Sequence, residues 1–141
     1  QMKDDPMQIL LVDHNEIDLY IAQRNLDSEF RQAEILTFLD TEKAFEFLKT
    51  QVLPDSPEYR FVPDLILVEI NMPQMSGPEF LNSLYGLKGG LYKKKRAYLT
   101  HAMYSDRMGH HVPENCAGFI QKPITVERIR EILQDLSSGP H

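Results

Sequence analysis

Four apolar runs in this chain end on residues that could do chemistry. Asp13 and His14 follow Leu10-Leu11-Val12, Glu69 follows Ile66-Leu67-Val68, Thr100 and His101 follow Ala97-Tyr98-Leu99, and Lys122 follows Phe119-Ile120-Gln121. Two carboxylates and an imidazole are metal donors, while a hydroxyl and an ammonium can neutralise an anion. These residues are far apart in sequence, so a sheet must align the ends of the runs before they can act together. In open parallel sheets ligands bind outside the carboxyl ends of the strands, where these residues fall.

The intervening sequence supplies such a sheet. Gln8 to Val12, Ala33 to Leu39, Leu65 to Val68, Arg96 to Leu99 and Gly118 to Gln121 read as strands. Leu65 to Val68 is continuously apolar, as expected of a strand covered on both faces. Between them, Ile17, Tyr20, Ile21, Asn25 and Leu26 recur at helical spacing after a polar entry at Asn15. Thr41 opens a second helix carrying Ala44, Phe45, Phe47 and Leu48, with Asp40 or Thr41 as its cap. Pro78 to Tyr85 gives a third, with proline in its first turn. Tyr104 to His111 is predicted as a short fourth helix ending before Pro113, and Thr125 caps a fifth with Ile129, Ile132, Leu133 and Leu136 on one stripe. Gln51 to Pro63, with Pro54, Pro57 and Pro63, is expected to be an elaborated surface loop. Strands alternating with helices through right-handed crossovers predict a parallel sheet with helices on both faces.

Bulk properties narrow the function classes. A length of 141 residues fits one domain with its own core, which leaves no room for a second of ordinary size. The net charge of −6 gives no general attraction to nucleic acid or to anionic lipid. A single cysteine, Cys116, forms no internal disulfide and fits a reducing compartment, so a cytoplasmic protein is expected. No apolar stretch reaches the roughly 20 residues that cross a bilayer, and Gln1 to Gln8 lacks the pattern of an export signal.

Several separated motifs carry a resemblance. They are Leu11-Val12-Asp13, Pro63-Asp64-Leu65-Ile66-Leu67-Val68, Asn71-Met72-Pro73-Gln74-Met75-Ser76-Gly77, Tyr98-Leu99-Thr100 and Gly118-Phe119-Ile120-Gln121-Lys122-Pro123. Together they resemble the response-regulator receiver domain of two-component signalling, from about Met7 to Leu136. The resemblance implies a flavodoxin-like, doubly wound five-stranded parallel sheet in the order 2-1-3-4-5. A receiver-like domain over 7–136 is expected, with flexible termini at 1–6 and 137–141.

It also implies a mechanism, in which acids after the first strand and an acceptor aspartate hold Mg²⁺ and a partner kinase supplies the phosphoryl group. Carried over by position, Asp13 is the first acid and Glu69 stands at the phosphoacceptor position. Asn71 gives the metal a backbone carbonyl, Thr100 is the hydroxyl that moves toward phosphate, Phe119 is the aromatic switch, and Lys122 is the salt-bridge partner. The Lys122-Pro123 bond is expected to be cis.

Two positions depart from this pattern: His14 stands where a second acid is implied, and Glu69 where an aspartate is implied. Mg²⁺ prefers oxygen ligands in octahedral geometry, so an imidazole among Asp13, His14 and Glu69 lowers its affinity. Glu69 reaches about 1.5 Å beyond an aspartate, and displacements of about 1 Å can cost roughly a hundredfold in rate. The longer carboxylate can instead reach Lys122 or Thr100 and imitate part of a phosphorylated state, with one charge against roughly −1.5 to −2. His101, next to Thr100, is expected to narrow donor entry.

The leading expectation is therefore a non-enzymatic signalling module that works through protein contacts, with no cofactor unless Mg²⁺ chemistry survives. Its partners would be a histidine kinase or another signalling protein, or a second copy through the fourth helix, fifth strand and fifth helix. The runner-up accepts a phosphoryl group at Glu69, or at a native aspartate there if Glu69 is a substitution. A nucleotide or flavin binder has little support, because no Gly-x-Gly loop follows the first strand. Plainer readings also stand: His14 as a hydrogen-bonded histidine rather than a transition-metal ligand, His110-His111 as a helix end, Lys93 to Arg96 as a solvated turn, and Cys116 as packed.

Overall fold

The computed structural model describes residues 6–53 and 60–138, with side chains as far as 136. The apolar runs form five parallel strands, β1 (Gln8–Val12), β2 (Glu34–Phe38), β3 (Leu65–Glu69), β4 (Arg96–His101) and β5 (Gly118–Gln121). Their order is β2-β1-β3-β4-β5, with all pairs parallel, as expected. Helices α1 (Glu16–Glu29), α2 (Thr41–Thr50), α3 (Gly77–Tyr85) and α4 (Val126–Ser138) cover the sheet. Pro54, Pro57 and the outer parts of both expected tails lie outside the described residues. Helix α4 continues to Ser138, beyond the tail boundary expected at 137.

Alternation along the strands divides the core in two. Leu10, Val12, Ile66, Val68, Ala97 and Leu99 face α2 and α3, where they meet Ala44, Leu48, Phe80, Leu81 and Leu84. Ile9, Leu11, Leu65, Leu67, Tyr98 and Ile120 face α1 and α4, against Leu19, Ala22, Leu26, Ile129 and Ile132. Each helix begins at a residue suited to the task. Asn15 accepts from the Asp18 amide, Asp40 from that of Lys43, and Ser76 from that of Glu79, whose carboxylate returns a bond to the Ser76 amide. Thr125 accepts from the Arg128 amide at the start of α4.

The helix read from Ile17, Tyr20, Ile21, Asn25 and Leu26 forms as α1, and of these Leu26 is fully buried while Ile17 and Tyr20 are 71% and 62% exposed. Ile17 and Tyr20 lie in line with Arg24 and Asp27, whereas Leu19, Ala22 and Leu26 lead to the buried Phe30 and give an unbroken contact. One expectation is corrected. The predicted helix over Tyr104 to His111 is absent; only a 3₁₀ turn, Tyr104–Arg107, forms there. The Asp106 carboxylate accepts from the Met103 amide and closes that turn, and Gly109, at φ +80°, turns the chain away before Pro113. Among the described residues four α-helices, not five, accompany the strands.

Candidate functional site

The parity that sends Leu11, Leu67, Tyr98 and Ile120 toward α1 and α4 continues one step to Asp13, Glu69, Thr100 and Lys122. Register then sets them side by side: Val12 is beside Val68, and Glu69 beside Thr100. Backbone bonds hold the outer two strand ends in the ladder, from the Asp13 amide to the Phe38 carbonyl (3.1 Å) and from the Lys122 amide to the His101 carbonyl (2.8 Å).

The side chains converge. Lys122 Nζ donates to Asp13 Oδ2 and to Asp18 Oδ2, each at 2.9 Å, and lies 3.4 Å from Glu69 Oε1. His14 Nδ1 is 2.8 Å from the same Glu69 oxygen. Glu69 thus sits between an ammonium and an imidazole. Burial, then the hydrogen bond and charge of Asp13, hold the Glu69 carboxyl above its ordinary value against the opposing pull of Lys122 and His14. Burial would lower Lys122, yet its bonds to Asp13 and Asp18 and the charges of Asp13 and Glu69 keep the ammonium above the ordinary lysine value.

Asp13, His14 and Glu69 can each turn one ligand atom into a cluster whose atoms lie within 4.8 Å of one another. This donor set does not fit Mg²⁺. One of the three donors is the nitrogen of His14, where Mg²⁺ asks for oxygen.

The other predicted residues surround this centre. Thr100 is buried on the same face. Asn71, at the mouth, receives His110 Nε2 at 3.2 Å on its side-chain oxygen, so His110 belongs to a loop contact rather than a helix end. His101 and Phe119 lie on the opposite parity, their rings edge-on at 6.0 Å, and His101 Nδ1 is 3.1 Å from the Met103 carbonyl. Arg107 stacks over both Phe119 (4.1 Å) and Tyr104 (4.7 Å). The Lys122-Pro123 bond is cis, as expected. Cys116 is packed: its Sγ is 3.6 and 3.5 Å from the carbonyls of Ala97 and Gly118, and burial pushes the thiol up. Of the basic run, Lys95 pairs with Asp64 at 3.6 Å, and Lys93 and Lys94 are exposed.

Sequence reasoning missed Asp18. Its signal was an acid in the first turn of a helix that starts straight after Asp13-His14, three residues past the Asn15 cap. Thr41 and Gly77 were also overlooked as supports. The Thr41 hydroxyl donates to the Met75 carbonyl (2.7 Å) and accepts from its amide (3.1 Å), bracing the loop between β3 and α3. Gly77 lies so close to the Glu69 carbonyl oxygen that a Cβ there would overlap it, and would stand 2.8 Å from Leu99.

Comparison with known proteins bears on the fold. The chain aligns over 94% of its length with a two-component response regulator from Legionella pneumophila, covering 98% of that chain at 23% identity and a TM-score of 0.73. A chemotaxis response regulator of Vibrio cholerae matches at 22% identity and TM-score 0.66, over 92% of this chain and 98% of that one. The receiver domain of a sensor histidine kinase from Pseudomonas aeruginosa, which holds a magnesium ion in its active-site cleft, matches at 18% and 0.67, over 92% and 96%. At these identities the likeness concerns the fold. No curated protein matches. The response regulator receiver domain family matches residues 9–134, nearly the whole sheet and its helices, and the chain therefore belongs to that family.

Proposed function

We propose that this receiver domain works as a two-component signalling module through protein contacts, with its state set by Glu69 rather than by a phosphoryl group. The observation that carries this reading is the engagement of Glu69 by His14 at 2.8 Å and Lys122 at 3.4 Å. In phosphoryl transfer the protein contributes mainly position and countercharge. Here the countercharge is already spent on a carboxylate built into the chain. Asp13 and Asp18 occupy two further directions of the ammonium, so a phosphoryl group would have to displace existing bonds.

In this reading Glu69 fills the phosphoacceptor position, His14 and Lys122 are its partners, and Asp13 holds the same ammonium. Thr100 and Phe119 remain the switch residues, and Mg²⁺ has no role. The module acts by contact rather than turnover, in the cytoplasm, on a histidine kinase, another signalling protein or a second copy. Its contact face is the surface left by the missing helix, where Met103, Tyr104 and Met108 are 63%, 68% and 73% exposed, together with β5 and α4. Among the described residues no helix is long and apolar enough to cross a membrane.

The test is intact-mass measurement after incubation with acetyl phosphate and Mg²⁺. The wild-type chain is expected to gain no phosphoryl group, and the His14→Asp, Glu69→Asp double variant to gain one. A phosphoryl adduct on Glu69 would overturn the reading in favour of a competent acceptor.

A further inference from the structure

We infer that Asp13, His14 and Glu69 form a binding site for a divalent transition metal of the Zn²⁺ class, with Mg²⁺ excluded. The inference concerns the pocket described above and rests on its having left Mg²⁺-dependent phosphoryl chemistry.

Geometry supports the first two ligands directly. Two donors on one zinc ion, each at about 2.0–2.1 Å and separated by a right or tetrahedral angle, lie about 2.9–3.4 Å apart. His14 Nδ1 and Glu69 Oε1 are 2.8 Å apart without any ion, so little movement is needed to place both on one metal. Asp13 completes a triad whose atoms already fall within 4.8 Å. Its Oδ1 accepts from the Asn15 amide and its Oδ2 from Lys122, which fixes the carboxylate without using every lone pair. Such supporting bonds hold ligands in place in metal sites.

Donor chemistry selects the metal. Imidazole suits Zn²⁺, Cu²⁺ and Ni²⁺, whereas Mg²⁺ asks for oxygen. Three protein ligands with an open fourth position is a common arrangement for zinc. The ion's route is open, because the His14 side chain is 46% exposed while those of Asp13 and Glu69 are 9% exposed. Charge acts in the same direction. Asp13, Asp18 and Glu69 offer three carboxylates to one ammonium, Lys122, and a divalent ion brings the group close to neutrality.

In the metal-free chain His14 Nδ1 and Glu69 Oε1 share a hydrogen bond. On binding, the ion takes that place, Nε2 carries the imidazole proton, and Nδ1 gives its lone pair to the metal. Lys122 keeps Asp18 while Asp13 turns an oxygen to the ion. Glu69 then answers to a metal instead of to Lys122 and His14, which supplies an input to a domain that has no phosphoryl one.

The test is calorimetric titration of ZnCl₂, and separately of MgCl₂, into the full chain in a non-chelating buffer. One Zn²⁺ per chain is expected, with Mg²⁺ binding far weaker. His14→Ala and His14→Gln should each weaken Zn²⁺ roughly 10- to 100-fold, the range for lost support of a metal site being the lower bound. His14→Asp should shift preference toward Mg²⁺. The His110→Ala, His111→Ala double variant should bind Zn²⁺ as the wild type does, and far-ultraviolet circular dichroism establishes that each variant is folded. Zinc affinity unchanged in both His14 variants, no zinc uptake at all, or Mg²⁺ bound as tightly as Zn²⁺ would overturn the inference. Because phosphoryl uptake is read by mass and metal by heat, the failure of this inference is distinguishable from that of the proposed function.

Discussion

The pocket at the carboxyl ends of β1, β3 and β5 and the segment that leaves β4 lie side by side in the molecule, yet they are held in opposite ways. In the pocket, the side chains of Asp13, Glu69 and Lys122 are no more than 9% exposed, and each is bonded to a partner from another part of the chain. Beyond β4, Met103, Tyr104 and Met108 stand mostly in solvent, and one 3₁₀ turn is the only regular structure before β5. The first region satisfies its polar groups internally; the second leaves apolar surface for something else. Receiver architecture has therefore kept its scaffold while its polar centre closes on itself and its neighbouring surface stays open.

The contrast breaks most visibly at Lys122. Lys122→Ala leaves three carboxylates without their ammonium, and urea unfolding should show a loss of about 3 kcal/mol, at the lower end for broken buried pairs because Asp18 is 30% exposed. A smaller effect is expected from Gly77→Ala, which forces a methyl group against the Glu69 carbonyl and Leu99. About 2 kcal/mol should be lost, whereas Gly86→Ala, with no contact closer than 3.5 Å, should change stability by less than about 1 kcal/mol.

Glu69→Gln sharpens the comparison through pH. Because the folded-state carboxyl lies above its ordinary value of 4.5, the native chain holds its proton more tightly than the unfolded chain. The stability of the wild type relative to Glu69→Gln should therefore be greatest below that value. It should fall as pH climbs through the raised folded-state value, then level off. Melting temperatures of both chains across the acidic range read this difference, and a relative stability that rises with pH would refute the assignment. The smallest effect belongs to the open region: Met103→Ser and Met108→Ser should each shift stability by less than about 0.5 kcal/mol. Any self-association seen by sedimentation should weaken in the same variants.

The strands were legible because each is a short apolar run ending on a polar residue, and the run ends named most of the pocket. Asp18 was not legible in the same way, since its role depends on how α1 is turned about its axis. A 3.6-residue period admits two stripes on that helix, and only the one continuing to Phe30 packs along its whole length. The missing helix after β4 failed for a local reason. Its apolar content resembled a helix, but Asp106 bonds back to Met103 and Gly109 adopts a left-handed backbone, so the turn is closed before a second turn can form. The reach of Glu69 toward Lys122 followed from its extra methylene, but that His14 would share the same oxygen could not be read from spacing, because it depends on side-chain conformation.

The Thr41 hydroxyl carries one last consequence. By bonding both the amide and the carbonyl of Met75, it seals a loop residue the way a neighbouring strand would. The Met75 amide should therefore exchange with deuterated solvent on the slow timescale of the sheet rather than the fast one of ordinary loops, and Thr41→Val should release it.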